Sequence, residues 1–495
     1  MGSEIDRTEF TNEDYERFRR RLQENLGQLR LLLNKPGFGD GPPSFGAELE
    51  LYIIDNSGQP MPINQQLAAA ADDPDLSLEL NRFNIEYNFP PILGSQTPFS
   101  DLKQQIDTAL KRLNQTAQTL GARVIPIGIL PTLQMSQMGR AAITDSARYH
   151  VLAETLRAQR GEDFFIHICG QDDLKMRWQE ISLEGANTSF QYHYRVNPSE
   201  FADAYNAAQM VTPLLVALGA NSPLFLGHRL WHETRVALFK QAIDPRTDAP
   251  IHRSLPSRVY FGHRWVNDGI YELLAEGVSL FPPIMPITED EKPSLHNGKH
   301  CPSLAELRLH QGSIWVWNRP IFDPAGGGHL RIELRSFPAG PTSQDMAALA
   351  AFGIGLIEGL RPKMKTLIEQ VPFSICEQNF YRAAREGIKA KLMWPQPETG
   401  TLADATLNQL VKLLLPVARQ GLQGLGIEKN ESDHHLNLIE RSADISRNGA
   451  LWQLQSLQQL RQSYKPSAAL SALVDAYFDR QQGNLPVCDW RLADG

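Results

Sequence analysis

Four short segments of the chain alternate apolar and polar residues with the period of two that is typical of a β-strand. They are residues 45–54 (FGAELELYII), 83–89 (FNIEYNF), 190–196 (FQYHYRV) and 330–337 (LRIELRSF). Since side chains at positions i and i+2 share one face of a strand, each segment would turn polar groups to one side and apolar groups to the other. The sequence therefore predicts four amphipathic strands.

The predicted polar faces carry almost only acids, amides, histidine and arginine. In chain order they are Glu48, Glu50, Tyr52, Asn84, Glu86, Asn88, Gln191, His193, Arg195, Arg331, Glu333 and Arg335. A sheet face that only meets solvent usually carries Lys, Thr and Ser, and none of these positions does. This favours one shared functional face, although four unrelated exposed faces remain the alternative.

Apolar residues at steps of three and four predict helices over residues 13–34, 98–120 and 198–220. Strands and loops are predicted to dominate from about 250 to 340, and the pattern turns helical from Ser343 onward. Strands with inserted helices, followed by a helical last third, indicate an α+β fold rather than a doubly wound sheet.

The chain is best divided into an N-terminal helix packed on the core (1–40), the core that carries the polar strands (41–345) and a helical C-terminal region (346–495). The last region could close over a site, form a subunit interface or serve as scaffold, and scaffold is the default interpretation. The sequence leaves the oligomeric state open.

The composition of this chain of 495 residues limits the kinds of partner that the sequence predicts. It has 48 basic and 56 acidic residues, a net charge of −8 and no basic stripe, which argues against nucleic acid as a partner. Its four cysteines show no CxxC or Cys/His spacing, so neither a zinc module nor a disulfide framework is predicted. The charged first thirty residues and the broken apolar stretches predict a cytoplasmic protein without a membrane partner.

Carboxylates on neighbouring strands repel one another in a cleft of low dielectric constant, and cations must then compensate them. Glu48, Glu50, Glu86 and Glu333 thus imply hard divalent cations, with Mg²⁺ preferred and Mn²⁺ as an alternative. Glu79 could join this set or lie on the surface.

Three arginines are candidate cations for substrate or nucleotide phosphates, because a guanidinium binds a carboxylate or phosphate at two points. They are Arg235, Arg319 and Arg335, although an ordinary surface arginine is the alternative for each. No P-loop or nucleophile motif occurs, and the run AGGG at 325–328 is interpreted as a hairpin turn rather than a phosphate cradle. His434 and His435 are assigned to a solvated loop with no role.

From about residue 44 to 345 the chain resembles the glutamate–cysteine ligase superfamily of carboxylate–amine ligases. The strand FGAELELYIID is similar to the G-x-E-x-E strand of that family, whose two glutamates bind metal, which points to Glu48 and Glu50. The segment NIEYNFPPILG resembles the next acidic strand and points to Glu86, with Glu79 as a further member.

Three more motifs carry this resemblance. SFQYHYRV resembles the strand that offers Gln191 or His193 as a metal ligand, and the register leaves the choice between them open. ANSPLFLGH followed by WHETRVALF is similar to the segment with a substrate arginine, here Arg235. RIELRS resembles the strand that supplies Glu333 as a metal ligand and Arg335 as a phosphate or substrate cation.

The resemblance implies a glutamine synthetase-like catalytic fold, with a curved antiparallel sheet, flanking helices and a helical C-terminal region. It also implies an enzyme of glutathione biosynthesis that uses ATP and Mg²⁺ to join the γ-carboxylate of glutamate to an amine such as cysteine, through γ-glutamyl phosphate. Arg319 and Arg335 would face the nucleotide, while Arg235 and Arg335 would serve catalysis. A metal-dependent hydrolase and a non-catalytic amino-acid-binding protein remain alternative functions.

Overall fold

The computed structural model describes residues 7–247, 249, 255–289, 294–296 and 299–494. Its α-helices in these ranges are α1 (Asn12–Leu33), α2 (Asn64–Ala71), α3 (Pro98–Thr119), α4 (Ala147–Arg160), α5 (Phe201–Gly219), α6 (Thr234–Ala242), α7 (Ile270–Leu280), α8 (Ala305–Gln311), α9 (Ser343–Leu360), α10 (Met364–Gln370), α11 (Phe373–Glu386), α12 (Leu407–Gly424), α13 (Lys429–Ile445), α14 (Gly449–Leu460) and α15 (Pro466–Gln482).

The strands in the same ranges are β1 (Ser44–Ile54), β2 (Leu76–Leu78), β3 (Asn84–Leu93), β4 (Arg123–Ile125), β5 (Phe164–Cys169), β6 (Asp173–Trp178), β7 (Phe190–Val196), β8 (Leu224–Phe225), β9 (His228–Arg229), β10 (Val259–Tyr260), β11 (Ser294–His296), β12 (Lys299–Cys301), β13 (Trp315–Val316), β14 (Asn318–Asp323), β15 (His329–Leu334), β16 (Lys391–Pro395) and β17 (Leu402–Thr406).

One curled antiparallel sheet of seven strands organises the fold. Its strand order is β14-β15-β7-β1-β3-β2, and β4 pairs with the end of β1. The four amphipathic strands predicted from the sequence are therefore β15, β7, β1 and β3, and they lie side by side. The predicted α+β class, with an antiparallel sheet and flanking helices, is confirmed.

The apolar face of this sheet is buried against three helices. Leu49 and Ile85 are fully buried in one large core, as are Ile332 and Leu334. The helices α3, α5 and α9 contribute their apolar side chains to that same core. Burial of this face excludes water from one side of the sheet and fixes the register that orients the polar face.

The N-terminal helix α1 begins at a capping box, in which Thr11 accepts a hydrogen bond from the backbone N–H of Asp14. Its apolar side packs against α7 and α8. Arg21 also forms an ion pair with the buried Glu306 at 3.1 Å. The N-terminal helix thus contacts the core, whereas the division into 1–40, 41–345 and 346–495 stays a prediction.

The helical pattern predicted after Ser343 is confirmed by α9, α12, α14 and α15. Helices α9 and α12 approach closely, since a Cβ atom at Gly421 would lie 2.0 Å from the carbonyl oxygen of Gly355. Helices α14 and α15 bury Trp452 and Tyr477 in a second core, which also contains Tyr52 and Ile54 at the end of β1. These contacts favour the scaffold interpretation of the C-terminal region.

Strands and loops dominate the described residues between 250 and 340, as predicted, and helices α7 and α8 lie among them. The assignment of His434 and His435 to a loop is wrong. Both lie in α13, and the ring of the buried His435 is 3.4 Å from a carboxylate oxygen of Glu431. The polar segment KNESDHHLN belongs to a helix with one buried side, because Glu431, Ser432 and His435 are buried. The AGGG run does form the turn between β14 and β15, as predicted.

None of the helices in the described ranges combines the length and the apolar character that crossing a bilayer requires.

Candidate functional site

The strand register brings the predicted polar positions together on one sheet face. It sets Glu48 opposite Gln191, Glu50 opposite Glu86, and His193 opposite Glu333. Residues that were predicted from separate segments of the sequence are thus cross-strand neighbours, which agrees with one shared face rather than four unrelated ones.

This face forms the floor of a cavity of about 610 Å³, within the usual range for small-molecule sites. Its walls come from β2 and the loop after it, the beginning of α4, helix α8 and strand β14. A cavity of this size, with carboxylates on its floor and arginines at its rim, suits a polar ligand with several charged groups.

Glu48, His193 and Glu333 form the first of two clusters, which we call the histidine cluster. One ligand atom from each lies within 4.8 Å of the other two. The Nε2 atom of His193 is 3.2 Å from Oε1 of Glu48, although the geometry of this contact is not that of a hydrogen bond. Burial raises the pKa of Glu48, yet the charges of His193 and Arg319 outweigh burial and leave that pKa below its ordinary value.

Two arginines clamp Glu333 of the histidine cluster. Arg319 on β14 donates a hydrogen bond from Nε to Oε2 of Glu333 at 2.7 Å, and its Nη2 forms an ion pair with the same oxygen at 2.6 Å. Arg335 donates to Oε1 of Glu333 and, at 2.8 Å, to Oε1 of Gln191. Burial raises the pKa of Glu333, but both guanidinium groups counter it, and the pKa lies below its ordinary value.

Glu50, Glu79 and Glu86 form the second cluster, which we call the acidic cluster, and their ligand atoms also lie within 4.8 Å of one another. Glu50 is oriented by three hydrogen bonds, from the backbone N–H and hydroxyl of Ser189 at 2.7 and 2.9 Å and from Gln191 Nε2 at 2.9 Å. Gln191 therefore connects the two clusters, since its oxygen accepts from Arg335 and its nitrogen donates to Glu50.

In the acidic cluster, burial outweighs the positive charge that the protein supplies. Burial raises the pKa of Glu50, and the charges of Arg235 and Arg335 offset that rise only in part. Burial raises the pKa of Glu86, and the charges of Glu48 and Glu79 raise it further. Burial and the charge of Glu50 raise the pKa of Glu79 in the same way, and they raise that of nearby Glu184 to about 8. Among the described atoms, Oε1 of the buried Glu86 has no hydrogen-bond partner.

A divalent cation fits this chemistry. Three converging carboxylates with raised pKa values, one of them with an unpartnered buried oxygen, are oxygen ligands that Mg²⁺ or Mn²⁺ would neutralise. The histidine cluster offers two carboxylate ligands and an imidazole, a set that suits Mn²⁺ as well as Mg²⁺.

The structure places some predicted residues differently. The Arg235 guanidinium does not line the cavity in the described structure, because it binds the carboxylate of Glu233 at 3.1 Å and the carbonyls of Arg335 and Ser336 at 3.4 Å. Tyr52, at the end of the polar face, lies instead in the second hydrophobic core and donates its hydroxyl to a backbone carbonyl at 2.5 Å.

Several cavity residues were missed from the sequence. They are Arg148 and Tyr149 at the beginning of α4, Glu184 before β7, Arg308 and Gln311 of α8, and Trp315 of β13. They lie on helices, on a two-residue strand or just before a strand, where no longer period-two alternation marks them. Of these residues, Glu184 could most easily have been predicted from the sequence, because it precedes Gln191 by seven residues in a segment that leads directly into a polar strand.

The fold and the site define an α+β protein with a carboxylate-lined cavity on an antiparallel sheet. The sequence model described as glutamate–cysteine ligase family 2 (GCS2) matches residues 44–436, which include every strand of that sheet. The chain belongs to this family, which is one of carboxylate–amine ligases.

Individual relatives match part of the chain. A protein provisionally named glutamate–cysteine ligase 2-2 from Mycolicibacterium vanbaalenii is 25% identical over 209 residues, which cover 41% of this chain and 50% of that protein. Its counterpart from Saccharopolyspora erythraea is 26% identical over 225 residues, which cover 44% of this chain and 50% of that protein. The chain therefore spans about half the length of these curated relatives.

Two solved structures are similar to this chain at low sequence identity. One is glutamate–cysteine ligase from Francisella tularensis in complex with AMP, with a TM-score of 0.47, 12% identity, and coverage of 92% of this chain and 96% of that one. The other is a bifunctional glutathione synthetase from Pasteurella multocida, with a TM-score of 0.48, 13% identity, and coverage of 93% and 55%.

Proposed function

We propose that this chain is an ATP-dependent ligase that joins the γ-carboxylate of glutamate to an amine, with cysteine as the first candidate amine. The observation that carries the proposal is the pair of carboxylate clusters on adjacent strands, beside two arginines and inside one cavity. Membership of the chain in glutamate–cysteine ligase family 2 supports the same reaction class.

In this proposal the acidic cluster and the histidine cluster hold Mg²⁺ or Mn²⁺, and the bound cations supply positive charge that balances the phosphates of ATP. Gln191 orients Glu50 and Arg335, so its role is positioning whether or not it also binds metal. The described hydrogen bonds of Arg335 come from Nη1 alone, which leaves other N–H groups of its guanidinium for a phosphate oxygen. Arg319 would bind the other carboxylate oxygen of Glu333, Oε2.

The proposed reaction has two steps. An oxygen of the substrate γ-carboxylate attacks the γ-phosphorus of ATP, so that γ-glutamyl phosphate forms and ADP leaves. The amine nitrogen then attacks the carbonyl carbon, phosphate leaves, and the nitrogen loses a proton. The protein positions the reactants and neutralises charge, and needs no nucleophile of its own.

Arg235 is proposed as a positioning residue in this scheme. It binds the carbonyl of Arg335 and is itself held by the fully buried Glu233. Because its guanidinium lies behind the strand end rather than in the cavity, it would act by fixing the Arg335 backbone.

The test incubates purified protein with ATP, Mg²⁺, glutamate and a panel of amines that includes cysteine, and measures ADP and the γ-glutamyl product. Glutamate with heavy oxygen in its γ-carboxylate should transfer one heavy oxygen to the released phosphate, because the acyl phosphate bond passes through that atom. Glu50→Gln should abolish product, whereas Glu13→Gln, an exposed residue of α1, should leave turnover unchanged.

Absence of amine-stimulated ADP formation, under conditions where Mg²⁺-ATP still raises the melting temperature, would contradict the ligase assignment. Hydrolysis of an amide substrate without nucleotide would instead identify a metal-dependent hydrolase.

A further inference from the structure

The hairpin of β5 and β6 carries three metal-ligating side chains on its solvent face, away from the cavity floor. His167 and Cys169 are two residues apart on β5 and therefore share a face, and Asp173 opens β6 directly opposite Cys169. All three residues are exposed, and they do not line the cavity in the described structure.

The ligand atoms of these residues converge on one point. Nε2 of His167 is 3.0 Å from Oδ1 of Asp173 and 3.3 Å from Sγ of Cys169, and Sγ is 3.2 Å from the same Oδ1. A tetrahedral zinc ion with ordinary bond lengths separates its ligand atoms by about 3.3 to 3.6 Å. The three atoms therefore already form nearly one triangular face of such a site, and the fourth position points to solvent.

The backbone that presents the three ligands is held in place by neighbouring segments. Gln241 of α6 accepts a hydrogen bond from the backbone N–H of His167 at 2.6 Å, and the indole of Trp231 donates to the carbonyl of Cys169 at 3.0 Å. At the turn, Asp172 binds Arg229 through the side chain and the backbone. Ligands on an anchored backbone lose little conformational freedom when they bind an ion.

Gly170 at the same turn shows how closely this hairpin packs against the backbone of Leu230. A Cβ atom there would lie 2.4 Å from Cα of Leu230, so only glycine permits the approach of the turn to that backbone. The site is thus part of the packed structure, although its ligands face solvent.

Nucleophilic chemistry does not explain this arrangement. A reactive cysteine needs a lowered pKa, yet the hydrogen bond to Asp173 raises the pKa of the Cys169 thiol. His167 also contacts both partners through the same nitrogen, so it cannot be oriented by the acid while accepting a proton from the thiol. No residue of the hairpin lines the 610 Å³ cavity in the described structure, so the sulfur is not placed beside the proposed substrate site.

We propose that His167, Cys169 and Asp173 bind a thiophilic divalent cation of the Zn²⁺ class, at a site separate from the two carboxylate clusters. A thiolate, an imidazole and a carboxylate are ligands that Zn²⁺ accepts together, whereas Mg²⁺ avoids sulfur. The ion joins both strands of the hairpin at its turn, and a water molecule completes the coordination. The sequence pattern His-x-Cys with an Asp four residues later was too short to be read as a zinc module.

The test titrates the full-length protein with Co²⁺, which takes the place of Zn²⁺ and produces a sulfur-to-cobalt charge-transfer band in the near ultraviolet. One equivalent of Co²⁺ should produce the band, and one equivalent of Zn²⁺ should remove it. Cys169→Ser should abolish the band, and His167→Gln should weaken Co²⁺ binding by more than about tenfold. Glu50→Gln should retain the band, because only the hairpin site contains sulfur.

Thiol labelling gives an independent readout. Cys169 is the exposed cysteine, while Cys301, Cys376 and Cys488 are buried, so an alkylating reagent should label Cys169 first in the native protein. Zn²⁺ should slow this labelling by at least about tenfold, since a coordinated thiolate is a weaker nucleophile, whereas Mg²⁺ should not. A missing charge-transfer band, a band that survives Cys169→Ser, or labelling unaffected by Zn²⁺ would each overturn the proposal.

Discussion

At the scale of the residue, the acids of the sheet face stand in two opposite electrostatic situations. Glu333 is fully buried but bound by Arg319 and Arg335, so its negative charge is compensated within the protein. Glu50 belongs to a cluster of three carboxylates, and its pKa stays above the ordinary value because burial outweighs the charges of Arg235 and Arg335. The same substitution should therefore have opposite effects on stability at these two positions.

Glu50→Gln and Glu333→Gln should each lower turnover by at least about 100-fold, since both remove charge from the site. Glu333→Gln should also destabilise the protein by about 3 kcal/mol, because it leaves two partly buried guanidinium groups without their counter-charge. Glu50→Gln should raise the melting temperature of the metal-free protein at alkaline pH, since it relieves repulsion between carboxylates. Thermal melts of both variants beside the parent protein test these opposite effects. A lower melting temperature for both variants at alkaline pH would contradict the assignment of separate clusters.

Residue type and alternation were enough to predict the acids of the sheet floor, because strands impose a period of two on sequence. Glu48, Glu50, Glu86 and Glu333 could be found without knowing which strands pair. The position of Arg235 could not be predicted from the sequence. Its guanidinium binds Glu233 instead of entering the cavity, and this depends on the long-range packing of α6 against the end of β15.

At the scale of the element, helix α1 supplies the cap that helix α8 lacks. Leu304 stands at the N-cap position of α8 and offers no side-chain hydrogen bond. Asn25 of α1 instead accepts a hydrogen bond from the backbone N–H of Leu307, the third residue of α8, at 3.1 Å. Since α8 also presents Arg308 to the cavity, the N-terminal helix supports one wall of the site.

Asn25→Ala should remove this cap and cost about 1 kcal/mol of local stability. Hydrogen exchange should accelerate in residues 305–311, while exchange in β1 and β7 stays slow, because the substitution frees the helix end and leaves the sheet intact. Asn12→Ala, at the exposed beginning of α1, is the matched control and should leave exchange in α8 unchanged. Equal exchange in α8 for the parent and Asn25→Ala would show that the cap does not stabilise this wall.

At the scale of the whole molecule, the sheet collects chemistry from distant parts of the chain. Its polar floor joins segments from residue 48 to residue 335, and the helices on the apolar face keep these segments in register. The sequence predicted the amphipathic strands and the terminal helices, because each carries its own pattern. The strand order and the cavity-wall residues on helices, such as Arg148 and Arg308, depend on tertiary contacts and had no local pattern to reveal them.

The raised pKa values of the acidic cluster and of nearby Glu184 make the stability of the whole molecule depend on pH and on divalent cations together. Burial and the charge of Glu50 raise the pKa of Glu184 from 4.5 to about 8, and burial raises those of Glu79 and Glu86 in the same direction. A carboxyl with a raised folded-state pKa contributes stability that is complete below its unfolded value and is lost as the pH rises through the folded value. The metal-free protein should therefore lose stability from about pH 4.5 through about pH 8.

Mg²⁺ should reverse this trend, because it competes with protons for the same carboxylates and binds best when they are ionised. The rise in melting temperature caused by Mg²⁺ should be small at mildly acidic pH and should grow as the pH rises, because the pKa values of Glu79 and Glu86 lie well above the ordinary value. Glu50→Gln should reduce the increment at every pH, and Glu13→Gln, exposed on α1, should preserve it. An increment that stays constant with pH, or that is largest in acid, would mean that Mg²⁺ does not bind at the acidic cluster, since a cation held there must displace protons from Glu79 and Glu86.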